Sequence, residues 1–240
     1  YKRVGGLGKV ELNDIVVLNY PAGDTLVSAP QYQAYDYYQM CYGMGWQLYP
    51  QHPNIDSLNP IQRRALFNKV YSIGKQAILD NQAEYGSIMT RPTDRRENYV
   101  KRCVGLPGMT LHIKNRIVYL NGKANKEPDN VQYTYYIKFK QPLSDDLMHN
   151  LGISNEDIAS LNQSGYMPLT KHALSVLSHR KDLVQSIRLN TDATYNDTYP
   201  LNGNMHWTRD NYGPIWIPAK GKSIKLDMNN IAIYERPIKV

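Results

Sequence analysis

Residues 98–108, Asn-Tyr-Val-Lys-Arg-Cys-Val-Gly-Leu-Pro-Gly, constrain the fold of this 240-residue chain more than any other stretch. An apolar, β-branched run that meets a Gly-Leu-Pro-Gly turn reads as a strand with a fixed end. Period-2 alternation puts Tyr99, Lys101, Cys103 and Gly105 on one face, and Val100, Arg102 and Val104 on the other. Lys101 therefore stands beside an aromatic ring and a small thiol. If that face is covered, lost hydration disfavours the ammonium and lowers the lysine pKa. A neutral lysine can then act as general base for a serine. If the face is open, the stem covers apolar surface and the charge reaches water, as in most strand lysines.

Two more stretches bear on that choice. Asn13-Asp-Ile-Val-Val-Leu-Asn-Tyr-Pro21 is an apolar strand ending in proline, and Ile117-Val-Tyr-Leu-Asn-Gly122 is a strand ending in a favoured type I′ turn. With Tyr99–Gly108 they resemble, in order, the G-D-I-V-V strand, the lysine box and the following hairpin of type I signal peptidases. The resemblance covers residues 8–22 and 95–123. It implies a mostly β catalytic core which, with helical insertions, makes the chain α+β overall. It further implies a bacterial, membrane-bound serine protease that removes signal peptides from exported preproteins through a Ser/Lys dyad. Lys101 would be the base, while Asp14 and Arg102, at matching box positions, would have structural roles. The family selects small side chains at the first and third positions before the cut. Substrate backbone would pair with an exposed strand edge, a form of β-augmentation. An N-terminal anchor is expected outside this chain, with the catalytic domain on the periplasmic face.

The departures from the family pattern are as informative. The family nucleophile lies in a Ser-Met-x-Pro box before the G-D-I-V-V strand. Only twelve residues precede Asn13, none of them serine. A G-D-N-R-x-x-S-x-D-S-R box is missing towards the C-terminus, and Met109 stands where the family has Asp. The expectation is an excised piece that keeps the base, lacks the nucleophile and cannot cleave a signal peptide unaided. Gly86-Ser-Ile-Met-Thr-Arg-Pro-Thr93 imitates the serine box with two extra residues, but follows the Ile15–Val17 strand instead of preceding it. Pro92 holds Thr90-Arg91 extended, so the segment reads as the approach to the lysine strand, and Ser87 is not expected to be the nucleophile.

Composition narrows the classes further. Hydrophobic content is 42%, and no run approaches the 18–20 apolar residues that cross a bilayer. The net charge of +7 comes without a Lys/Arg arm for nucleic acid. Its densest cluster is Arg91, Arg95, Arg96, Lys101 and Arg102, either a solvated rim or a surface facing anionic lipid headgroups. Two cysteines, Cys41 and Cys103, force no disulfide. Six histidines show no ligand spacing, and no metal or cofactor is expected. Twenty tyrosines against two phenylalanines suit half-exposed β faces and interfacial surfaces.

Along the chain, Val10–Tyr20 reads as a strand and residues 25–53 as an irregular excursion. Asn59-Pro60 starts a helix that ends near Tyr85-Gly86. Strands follow at Tyr99–Gly105, Leu111–Ile113, Ile117–Leu120 and Val131–Phe139, the last with Tyr133, Tyr135, Ile137 and Phe139 on one face. Ser144, Ser154 (with Asp157 in a capping box) and Thr170 cap three short helices. Residues 190–204 read as loop, with Asn196-Asp-Thr198 as turn chemistry. The tail reads as β at Ile215–Pro218, Ser223–Leu226 and Ala232–Glu235. The implied organisation is a β catalytic core (residues 1–30, 86–141 and 205–240) carrying two helix-bearing insertions, 31–85 and 142–204. A non-catalytic periplasmic binding module with this fold, or a Ser/Lys autoprotease of the SOS-repressor type, are the alternatives.

Overall fold

The computed structural model describes residues 8–191, 198–201 and 205–239. The fold is mixed α+β, and the chain divides into two compact units, Tyr1–Lys123 with Thr194–Val240, and Ala124–Ala193.

The first unit opens with β1 (Ile15–Asn19) and β2 (Thr25–Val27). β1 is shorter than the sequence suggests, because Asn13 has φ 75° and the Asp14 carboxylate accepts from the Glu11 backbone, making a turn. Asp36 then caps α1 (Tyr37–Leu48), accepting from the N–H groups of Tyr38 and Gln39. The sequence reading missed this helix. Gly43 and Gly45 weaken its propensity, and its apolar residues form no clean stripe. Tertiary packing holds it instead. α2 (Pro60–Asp80) begins with a complete Asn59/Gln62 capping box and crosses α1 at very short range. A Cβ at Gly45 would lie 2.0 Å from the Val70 carbonyl oxygen. The crossing encloses two clusters, one of Val27, Tyr37, Cys41 and Ile78, the other of Tyr49, Leu66 and Val70. Each such side chain contributes roughly 1.5–3 kcal/mol on burial.

A one-turn α3 (Gln82–Tyr85) leads to β3 (Ile88–Thr90), antiparallel to β2. β4 (Asn98–Arg102) pairs antiparallel with β1. β5 (Thr110–Lys114), β6 (Ile117–Leu120), β7 (Lys123–Ala124) and β11 (Tyr212–Trp216) form a four-stranded sheet in the order β11-β5-β6-β7. Both tight turns of this sheet use left-handed residues. Asn115 and Arg116 link β5 to β6 at φ 48° and 71°, and Asn121 and Gly122 lead out of β6 at 49° and 82°. The unit ends in α7 (Ile231–Lys239), where a strand was expected over Ala232–Glu235. Asp227 and Asn230 bond reciprocally and start a helical turn that carries on through the tail. Buried Ile233 and Tyr234 are adjacent in sequence, so they fit a helix face rather than the alternation that Ile231 and Ile233 imitate. Residues 223–226, also expected as strand, have no regular structure.

The second unit is a three-stranded antiparallel sheet, β10-β8-β9, with helices on its apolar face. β8 (Gln132–Phe139) presents Tyr135, Ile137 and Phe139 to the core, as its alternation predicts. Ser144 caps α4 (Asp145–Leu151), Ser154 and Asp157 form a capping box on α5 (Asn155–Ser164), and Thr170 caps α6 (Lys171–His179). β9 (Tyr166–Thr170) and β10 (Val184–Leu189) carry no clear strand pattern in the sequence. Pro168 interrupts the first, and a register shift between Val184 and Ser186 breaks the alternation of the second. Asn196 and Asp197, in the stretch read as loop, lie outside the described residues.

Candidate active site

Lys101 is positioned by the β1–β4 ribbon. Val16 faces Lys101, Leu18 faces Tyr99, and Val17 faces Val100 in register. Backbone bonds extend the ladder beyond both strands: Cys103 and Asp14 at one end (2.8 Å), Tyr20 and Glu97 at the other (2.7 Å). Cross-strand partners share a face, so one side carries Val16, Leu18, Tyr99 and Lys101, and the other Ile15, Val17, Val100 and Arg102. The alternation expected for 99–102 therefore holds, with Lys101 and Arg102 on opposite faces. Arg102 donates to the Asn13 carbonyl at 2.9 Å, tying its own strand to the turn before β1.

The Lys101 side chain is exposed, and its Nζ lies 5.5 Å from the centre of the Tyr99 ring. Tyr99 packs against Tyr20 at 4.9 Å, and the Tyr20 hydroxyl donates to Asp36 at 3.2 Å. Burial, reinforced by the Asp36 carboxylate, raises the Tyr20 phenol above its ordinary pKa. The lysine is thus one ring away from a fixed aromatic–carboxylate contact that ends at the α1 cap. Sequence reasoning missed Tyr20 and Asp36. Their signal is the Asp-Tyr-Tyr start of a glycine-weakened helix, legible only once that helix is seen.

The Gly-Leu-Pro-Gly segment closes the strand through a type II turn. The Met109 N–H donates to the Leu106 carbonyl at 3.0 Å, with Pro107 and Gly108 at the centre and Gly108 at φ 89°. Gly105 packs under Ile217, where a Cβ would lie 2.5 Å from the end of that side chain and push it aside. The backbone of residues 108–109 bonds to Ile217 just past β11, which joins the lysine strand to the four-stranded sheet.

Ser87 stands elsewhere, at the head of β3. Its carbonyl accepts from the Ser28 N–H, and its own N–H donates to the Ser28 hydroxyl. It is exposed, outside the β1–β4 ribbon. Cys41 and Cys103 are free thiols; Cys41 is buried, and its thiol is raised in pKa by burial. No group of three or more metal-ligating side chains occurs among the described residues.

The model of the family described as signal peptidase, peptidase S26, matches residues 48–171, a little over half of the chain and all of the lysine strand. The chain belongs to this signal peptidase family. Signal peptidase IB of Staphylococcus aureus is 36% identical over 58 residues, covering 24% of this chain and 29% of that protein. Signal peptidase I of Bacillus caldolyticus is 44% identical over 52 residues, covering 22% and 25%. The matches therefore span under a third of the length of these curated relatives. No solved structure matches. No described helix is long and apolar enough to cross a membrane.

Proposed function

We propose that this chain is part of a membrane-associated serine endopeptidase that removes N-terminal signal peptides from exported preproteins. Lys101 is its general base, and the serine comes from a segment beyond this sequence. The observation that carries the reading is that the family match runs through the lysine box, whose lysine projects with Tyr99 from a strand held at both ends. In the reaction, neutral Lys101 takes the serine proton as the hydroxyl attacks the scissile carbonyl. It then activates the water that hydrolyses the acyl-enzyme. Lys101 is exposed in this chain, so the reading has the serine segment or the substrate cover it in the whole enzyme.

The remaining edge of β4 supports a substrate role. Among the described strands β4 pairs with β1 alone, so one row of backbone groups beside Lys101 is open to an extended peptide. The helix-bearing segments 31–85 and 142–204 are, on this reading, insertions into the β catalytic core. The opposite ribbon face carries Ile15, Val17 and Val100, which are 61%, 71% and 61% exposed, next to Arg102. Apolar side chains beside a cation suit contact with an anionic membrane surface, which fits a protein acting on the outer face of the cell membrane.

The test uses full-length protein and a preprotein substrate. Lys101→Ala abolishes processing, and Ser87→Ala leaves it largely intact. Processing that survives Lys101→Ala removes the dyad reading, and a wild-type protein that binds preprotein without processing it leaves the non-catalytic binding module as the better account.

A further inference from the structure

Past the Asn98 end of the β1–β4 ribbon the surface opens into a depression of about 630 Å³, walled by Tyr20, Pro21, Ala22, Arg96, Tyr199 and Arg236. Its two arginines have donors to spare. Arg236 lies 3.7 Å above the Tyr38 ring, and its Nη2 is buried without a hydrogen-bond partner. The carboxylate beside it, Asp24, is 3.9 Å away and already accepts from the Tyr38 hydroxyl at 3.2 Å. Arg96, half-buried, donates through Nε to the Arg91 carbonyl at 3.3 Å and has no ion pair among the described residues. The acid in the wall is committed: Asp36 accepts from two backbone N–H groups of α1 and from Tyr20. A buried guanidinium nitrogen left unbonded is costly, and such a donor calls for an explanation.

The position of the depression relative to Lys101 suggests an explanation. β4 carries Lys101 back to Asn98, and Arg96 stands two residues before the strand, so the two are five positions apart, roughly 16 Å for an extended segment at 3.3 Å per residue. A peptide lying on the free edge of β4, with its reacting carbonyl at Lys101, would reach Arg96 about five positions from the cut. We propose that the depression between Arg96 and Arg236 is a subsite for an acidic side chain of the extended substrate peptide. The assignment rests on the peptidase reading and adds a charge preference remote from the cut. The carboxylate would bond to the free guanidinium nitrogens of Arg96, with the Arg236 cation held against the Tyr38 ring as the second positive charge of the wall, while its stem lies on Pro21 and Ala22. Charge-assisted bonds of this kind give selection of at least about tenfold.

The experiment separates this subsite from the peptidase reading by measuring binding and cleavage independently. Fluorescence anisotropy on full-length Lys101→Ala protein compares labelled preprotein-derived peptides with Glu or Gln four to six positions from the cut, on either side. One series with Glu should bind at least about tenfold tighter than its Gln counterpart, and the advantage should shrink with salt. Arg96→Gln and Arg236→Gln should each reduce the advantage without weakening the Gln peptide. Arg96→Gln alone decides the matter if the loss of the Arg236–Tyr38 contact unfolds the protein. Equal binding of Glu and Gln peptides on both sides overturns the subsite, as does a Glu preference that survives Arg96→Gln. Arginine-dependent binding of phosphatidylglycerol vesicles with no Glu preference also overturns it. Cleavage of preprotein by the Lys101 wild type tests the peptidase reading alone: cleavage without a Glu preference sinks only the subsite, and a Glu preference without cleavage sinks only the peptidase.

Discussion

Gly74 of α2 touches the backbone of Cys41 in α1 so closely that a Cβ on it would fall 1.8 Å from the Cys41 carbonyl oxygen. Two opposed effects act on an alanine at this position. Helix propensity favours Ala over Gly by about 1 kcal/mol, whereas forcing a methyl into backbone atoms costs about 3 kcal/mol or more. The clash wins. Gly74→Ala should lower Tm by roughly 4–8 °C, at about 2–4 °C per kcal/mol for a chain of this size. Gly43→Ala, on the exposed side of α1 with nothing within 4 Å of its would-be Cβ, should be neutral or raise stability by up to about 1 kcal/mol. Thermal melts of the two variants check the pair; equal effects would disprove the helix crossing.

The same crossing buries phenols. Tyr37, Tyr42 and Tyr71 are all raised well above the ordinary tyrosine pKa, chiefly by burial, and Tyr199 is raised to about 12. In the unfolded chain these groups ionise near pH 10. A raised folded pKa gives stability that is fully present below about pH 10 and is lost as pH climbs through the folded value. Alkaline titration followed at 295 nm should therefore show an early phase from exposed phenols. A late phase should coincide with loss of far-UV circular dichroism. Cys41, enclosed by the same rings, should resist iodoacetamide in the native state while half-buried Cys103 reacts. Early alkylation of Cys41 would contradict the packing.

What could be read from the sequence tracked how local the cause was. Asn59-Pro60, Ser144, Ser154 and Thr170 announced their helices because a cap lies within four residues of what it stabilises. Asn121-Gly122 announced its turn because φ > 0 is a property of those residue types. The alternation over Tyr99–Arg102 placed Lys101 beside Tyr99. α1 escaped notice because it depends on Gly74, thirty-odd residues away, and not on its own propensity. α7 read as strand because three or four apolar residues satisfy either period. Arg96 stood out in the basic cluster, but its pairing with Arg236 was not legible, because the two are 140 positions apart and meet only in the fold.

The exposed face of the β1–β4 ribbon yields a test of membrane contact. Ile15, Val17 and Val100 offer apolar surface beside Arg102, so binding should combine burial with attraction to anionic headgroups. Val17→Asp and Val100→Asp place carboxylates in the middle of that face. Each should weaken co-sedimentation with phosphatidylglycerol vesicles severalfold and leave the melting temperature nearly unchanged, since both positions are solvated. Binding to neutral phosphatidylcholine vesicles should be weaker from the start. Unchanged sedimentation of the double variant would exclude this face as the contact.

Tyr99 gives a last prediction, because the proposed base leans on it. The Lys101 Nζ stands 5.5 Å from the Tyr99 ring centre, and Tyr20 braces the ring from another side. A cation–π contact at an exposed site contributes about 0.5–1 kcal/mol, equivalent to a two- to fivefold bias towards that rotamer. Tyr99→Phe keeps both the quadrupole and the packing, so full-length protein with this change should process preprotein at nearly the wild-type rate. Tyr99→Leu keeps apolar bulk but loses the ring, and should lower kcat by about two- to fivefold with KM little changed. A simple packing defect would instead show as a reduced melting temperature with kcat preserved in the folded fraction. Equal kcat for Tyr99→Phe and Tyr99→Leu would mean that the ring does not position the lysine.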